Sequence, residues 1–215
     1  MIPNSNEDSQ TVAADTPSRM GRKERERQQR RSAILRAGRE IFETQGYVNA
    51  TMAQIAERAE FGVGTLYQFF PNKQGFFKEV LLDVNSLFNQ GLCDRLDECS
   101  SWEESLYSFV EYKIDWMSEH PSFQSLVMEF FLSPLSDIAP ELIERFKGFH
   151  MQNLKILYDI FVRANAEGHN YDPDLMSMAV LGTLNGLAND WHMGLLKKKP
   201  LEYVPDMVDL MLGGG

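Results

Sequence analysis

An all-α chain of about nine helices is predicted, with a three-helix helix-turn-helix head near the N-terminus and a larger helical body behind it. Three observations predict it. Apolar residues recur at helical spacing through most of the chain, and no stretch shows the apolar/polar alternation of a half-buried strand. Gly46, Pro71, Pro121, Pro140, Gly168 and Pro173 fall between the periodic runs, where helix breakers belong. Between Thr51 and Lys73 two short helical runs surround a tight turn, and so little surface requires a supporting helix on each side.

In chain order, residues 1–29 read as a disordered arm, basic toward its end. Residues up to about 18 are polar with almost no large apolar side chain. Arg19 to Arg31 is helix-compatible and charged all round, either a solvated extension of the first helix or a basic arm that follows a DNA groove. The helix-turn-helix domain spans 30–75. Ser32 to Gln45 puts Ile34, Leu35, Ala37, Gly38, Ile41 and Phe42 on one stripe and ends at Gly46-Tyr47. Thr51 and Gln54 have the spacing of a reciprocal capping box, followed by Met52, Ile55, Ala56 and Ala59 on an apolar face. Gly62 is suited to the turn at Glu60-Phe61-Gly62 because glycine takes backbone angles other residues resist. On the next helix Val63, Leu66 and Phe70 face inward, leaving Gly64, Thr65, Tyr67 and Gln68 outside.

Residues 76–215 form the helical body. Asn72 caps a helix that runs to Leu92 or beyond, a lever between head and body. Trp102 to Glu119, an apolar band from Phe123 to Phe131, and Pro140 to Glu167 follow. Asp172-Pro173 starts a helix reaching about Leu196, with Ala179, Gly182 and Gly186 as a small-residue face that lets another helix come close. The last helix, Leu201 to Leu212, crowds Met207, Leu210 and Met211 with other apolar residues onto little polar surface.

A length of 215 residues with 43% hydrophobic content allows a sizeable core. The net charge of -10 divides unevenly: Arg19 to Arg39 holds nine Lys/Arg against two Glu, while from Phe76 onward ten basic residues face 22 acidic ones. One end suits phosphate and the rest repels it. Cys93 and Cys99 lie on different helical faces, which disfavours a local disulfide and fits a reducing cytoplasm. No signal core or spanning segment is evident, so a soluble cytoplasmic protein without membrane association is expected. His120, His150, His169 and His192 are scattered, and Glu141/Glu144 and Asp97/Glu98 sit on ordinary charged faces. Neither enzymatic activity nor a metal or cofactor is expected.

Four runs carry a resemblance. Ile34-Leu35-x-Ala37, Phe42-x-x-x-Gly46-Tyr47, Thr51-Met52-x-x-Ile55-Ala56 and Gly64-Thr65-Leu66-Tyr67-x-x-Phe70-x-x-Lys73 together resemble the DNA-binding domain of TetR-family repressors. Glu60 stands where that family usually has glycine, and Val63 where a polar residue is common. Thr51 caps its helix and its amide can hold a phosphate; Gln68 can read an adenine edge, and Gly64 and Thr65 allow close approach to the groove. The resemblance implies phosphate contacts by Tyr67 and Lys73. It further implies a homodimer formed through the last two long helices, with Gly182, Gly186, Met207, Leu210 and Met211 at the interface. A small-molecule pocket in the body is implied too, with Tyr112, Trp116, Met128, Phe131, Asn153, Leu157 and Trp191 as candidate lining for a largely apolar effector. The function implied is a repressor released from double-stranded operator DNA by that effector. A helical ligand-binding or scaffold dimer with a vestigial DNA head is the alternative, favoured by Glu60 and Val63.

Overall fold

The computed structural model of the chain describes residues 21–120 and 140–213. Eight α-helices form among the described residues: α1 (Arg22–Asn49), α2 (Met52–Arg58), α3 (Val63–Phe69), α4 (Lys73–Leu96), α5 (Trp102–Glu119), α6 (Pro140–Ala166), α7 (Pro173–His192) and α8 (Val204–Met211), the last preceded by a single 3-10 turn, Pro200–Tyr203. The body helices start where the sequence punctuates them. Ser101 accepts from the Glu104 amide at the start of α5, and Asp172 accepts from the amides of Asp174 and Leu175 ahead of a proline in the first turn of α7.

Three differences from the sequence reading concern the head. Arg22 to Gln29 are helical and form the first two turns of α1, so the arm is not irregular as far as residue 29. Residues 1–20 lie outside the described residues, as does the apolar band Phe123 to Phe131. The left-handed residue of the α2–α3 turn is Glu60, at φ 60°, while Gly62 has an ordinary extended backbone as the residue before α3. Val63, at the first position of α3, has no preceding turn to cover it and is exposed. The break in α1 falls as expected at Gly46, whose φ of 73° and ψ of 169° only glycine adopts readily.

Two cores share one helix. Ile34, Leu35 and Phe42 of α1, Met52 and Ile55 of α2, Leu66 of α3, Phe70 just after it, and Phe76 to Val84 of α4 make the head core. Phe88 and Leu92 of the same α4 join α5, α6, α7 and α8 in the body core. The change of core therefore lies inside α4, between Val84 and Phe88, and not at the 75/76 division that the motif boundary suggested. Gly38 sets the α1–α4 distance: a Cβ there would lie 2.2 Å from the buried Phe76 ring. Gly91 does the same between α4 and α5, where the Tyr112 hydroxyl occupies the space of the missing Cβ. In the body, α6 and α7 pack along one another as an antiparallel pair, joined by a turn in which the Asn165 side chain bonds both the amide and the carbonyl of Tyr171. The helix α7 stops at His192, short of Leu196, with Gly194 at φ 69° just beyond it.

Candidate nucleic-acid interface and internal cavity

The short α2 is held at its start by the reciprocal box. The Gln54 amide donates to Thr51 Oγ1 at 3.2 Å and the Thr51 amide to Gln54 Oε1 at 2.9 Å, an arrangement worth roughly 1 kcal/mol. Leu66 and Phe70 anchor α3 in the head core, and with the period fixed by those two anchors Gly64, Tyr67 and Gln68 point to solvent. Thr65 is half-buried. A Cβ on Gly64 would meet nothing within 4 Å, which leaves that point of α3 open to a broad surface. Lys73 lies over the Tyr47 ring, 4.6 Å from its centroid, and its ammonium donates to the Val48 carbonyl at 3.1 Å. It therefore ties the start of α4 to the end of α1 while staying partly exposed.

The helical extension of α1 is joined to the same side of the head. The Arg27 guanidinium lies 5.7 Å from the Phe69 ring centre and that of Arg31 lies 5.5 Å from Phe70, while Arg31 also pairs with Glu79. These contacts were not read from the sequence. Arg27 and Arg31 are four residues apart and share a face of α1, and the adjacent Phe69-Phe70 was the aromatic signal that could have matched them. The pairs Arg22–Glu26 and Arg27–Glu24 are solvent-exposed and contribute little to stability.

A cleft of about 740 Å³ opens among α4, α5, α6 and α7, with Lys147, His150, Asn185 and Asn189 exposed along it. Phe88, Trp116, Met117, Ile143, Phe146, Phe149 and Leu181 form its apolar wall, and Asn85, Asn153, Asn185 and Asn189 punctuate it. Of the residues nominated from the sequence, Trp116 and Asn153 line it. Tyr112 does not, because it packs over Gly91 and against Phe88 and Trp116. Leu157 is fully enclosed in the body core. Trp191 sits about 200° around α7 from Asn189, on another face from the lining Leu181, Asn185 and Asn189. Met128 and Phe131 lie outside the described residues.

Lys113 was overlooked because a charged residue on a helix normally reads as solvated. Here it lines the cavity, with its ammonium 5.4 Å from the centre of the Phe88 ring, and burial lowers its pKa from 10.5 to about 8. Asn153 donates to the Phe149 carbonyl at 2.8 Å and approaches Asn89 at 3.5 Å, leaving its Oδ1 without a donor. The cavity wall also reaches the head. Trp116 packs against both cores, and Ile143 and Phe146 against the head core. His120, which ends α5 and lines the cavity, has Nδ1 3.8 Å from Glu43 Oε1 of α1.

The nominated interface residues divide. Gly182 and Gly186 are exposed with open space where a Cβ would stand, and Leu210 is exposed. Met207 is a correction: α8 folds back onto α5 and buries it in the chain's own core, where Met211 is also partly covered. Exposed Leu175 and Met178 continue the glycine face of α7, and Tyr158 and Val162 are exposed on the neighbouring α6. Among the described residues, no helix is long and apolar enough to cross a membrane.

Residues 34–80 match the family described as "Bacterial regulatory proteins, tetR family". Over 197 residues the chain is 23% identical to a probable acrEF/envCD operon repressor of Escherichia coli K12, with 85% of this chain and 88% of that one aligned. The repressor KstR of Rhodococcus jostii RHA1 is 38% identical over 73 residues, about a third (34%) of each chain. Among solved structures, the fold matches the transcriptional regulator FadR from Bacillus subtilis in complex with stearoyl-CoA, at a TM-score of 0.69 and 19% identity over 86% of this chain and 99% of that one.

Proposed function

The chain belongs to the TetR family of bacterial transcriptional regulators, and from that premise we propose how it works: a cytoplasmic dimer grips operator DNA through α3 and releases it when a small, largely apolar molecule fills the cavity between α4 and α7. The observation that carries this reading is the position of the cavity wall. Trp116 belongs to both cores and His120 stands against Glu43 of the head, so a molecule seated there touches the junction that sets the head's orientation. A ligand biases two arrangements only by the difference in its affinity for them, and side chains shared by both cores are where that difference can arise. FadR, a structural neighbour, binds stearoyl-CoA, which supports a ligand with a long apolar body.

On the DNA side, Gln68 is assigned a base edge, Gly64 and Thr65 the close approach, and Tyr67, Lys73 and the Thr51 amide the phosphates. The exposure of Gly64, Tyr67 and Gln68 on α3, next to Phe69 and Phe70 that meet the arginines of α1, supports that assignment. A vestigial head loses its main motive, because Glu60 takes the left-handed conformation that the turn needs and the head core is complete. On α7, Gly182 and Gly186 with Leu175 and Met178 are assigned to the dimer contact, and Tyr158 and Val162 of α6 extend it. Leu210, exposed on α8, keeps the contact role that the resemblance implies, while Met211 is partly covered within the chain's own core. Electrophoretic mobility shift with the DNA upstream of the protein's own coding region tests the reading. Sequence-specific retardation that Gln68→Ala relaxes at one base position, at about 1 to 3 kcal/mol, is expected; retardation indifferent to sequence refutes it.

A further inference from the structure

We propose that the cavity takes a free carboxylic acid with a long apolar body, its carboxylate seated on the Lys113 ammonium and its hydrocarbon among Phe88, Trp116, Phe146 and Leu181. This deepens the effector reading above and rests on it. Two lysines line the cavity. Lys147 is answered by Glu144 at 2.6 Å. Lys113 has no hydrogen bond or carboxylate partner among the described residues; the Phe88 ring is its one contact of note. The lining holds two lysines and two histidines and, among the described residues, no Asp or Glu. Such a wall attracts an anion and repels a cation.

Holding an ammonium half-buried against apolar side chains, with no counter-charge among the described residues, is costly, and the lowered pKa of Lys113 reflects that cost. At pH 7 the group is still mainly protonated, because its pKa of about 8 lies above the medium. A ligand carboxylate supplies the absent charge and accepts a charge-assisted hydrogen bond. Of the two lysines in the lining, Lys113 alone lacks a carboxylate partner among the described residues, which argues for one negative charge and fits a free acid rather than a thioester carrying several phosphates. The apolar wall and about 740 Å³ of space accept a chain of a dozen carbons or more.

The full-length protein is titrated at pH 7 with dodecanoic acid, 1-dodecanol, dodecylamine and dodecanoyl-CoA by calorimetry, with operator affinity read on the same samples. The acid is expected to bind roughly 10- to 100-fold more tightly than the alcohol, and the amine more weakly than either. Lys113→Met should abolish the acid's advantage while keeping the alcohol's affinity; Lys113→Gln, which keeps a polar tip, covers the case in which methionine repacks the cavity. Equal affinities of acid and alcohol in wild type, tighter binding of dodecanoyl-CoA than of the acid, or binding of neither acid nor alcohol overturns the inference. An acid preference that depends on Lys113 without any change in operator affinity keeps the inference and overturns the effector reading. Equal affinities accompanied by operator release do the opposite.

Discussion

Glu60 stands in the left-handed backbone region that glycine adopts most readily. Its φ of 60° places an L-residue in the left-handed region, at a cost of roughly 1 to 2 kcal/mol. Glycine relieves that cost but loses about 0.5 to 1 kcal/mol through its freer unfolded state. Glu60→Gly should therefore raise the urea midpoint, a gain of up to about 1 kcal/mol at unchanged slope; a lowered midpoint contradicts the assignment of strain to this residue. Lys113 makes the opposite case, a cost retained at the position proposed to hold the effector's carboxylate. Its folded-state pKa of about 8 lies below the ordinary lysine value of 10.5, so between those values the unfolded chain holds more protons and stability rises with pH. Below pH 8 the whole difference is lost, at most about 3 kcal/mol. Lys113→Met should then be more stable than wild type at pH 7, with the gap closing from pH 8 to 10.5. Thermal melts that keep a constant gap across that range count against it. The exposed face of α3 was legible because Leu66 and Phe70 fix its period; Lys113 was not, since periodicity marks the apolar side of a helix but not how many neighbours surround it.

At the scale of elements, α1 and α4 each serve two purposes. The first turns of α1 bring Arg27 against Phe69, beside the exposed residues of α3. Removal of residues 1–29 takes away Arg19, Arg22, Lys23, Arg25 and Arg27 and, among the described residues, no buried apolar side chain. The melting temperature should hardly move, since one exposed cation–π contact is worth about 0.5 to 1 kcal/mol, while the slope of operator affinity against salt should flatten. Equal salt slopes for whole and shortened protein mean that this stretch of α1 is only solvated. The helix boundaries were readable from Thr51, Asn72 and Asp172, because a capping side chain is a local signal. Which helix faces meet was not: Tyr112 packs over Gly91, twenty-one residues earlier in α4, and nothing local to either residue announces the pairing. Trp116 and Asn153 reached the cavity on the same kind of evidence that failed for Leu157, a large or polar side chain in helical register.

For the whole molecule, the proposed dimer contact is the exposed face of α7. A Cβ at Gly186 meets open space, so a large side chain fits the isolated fold and would block a second copy seated on this face. Gly186→Trp should sediment as a folded monomer that binds operator poorly, because the two recognition helices are no longer held about 34 to 36 Å apart, or a whole-turn multiple of that. A dimer of undiminished affinity assigns the interface elsewhere. The acidic body, with 22 carboxylates from Phe76 onward, repels DNA and leaves the basic head as the end that meets it.

Head and body share α4 and Trp116, so occupancy of the cavity and of the DNA face should be linked in both directions. The direct measurement is a pair of titrations on the full-length dimer: operator affinity with and without saturating effector, and effector affinity with and without operator. Both should fall by one common factor, between about 5 and 150. An effector that fills the cavity and leaves operator affinity unchanged contradicts the linkage.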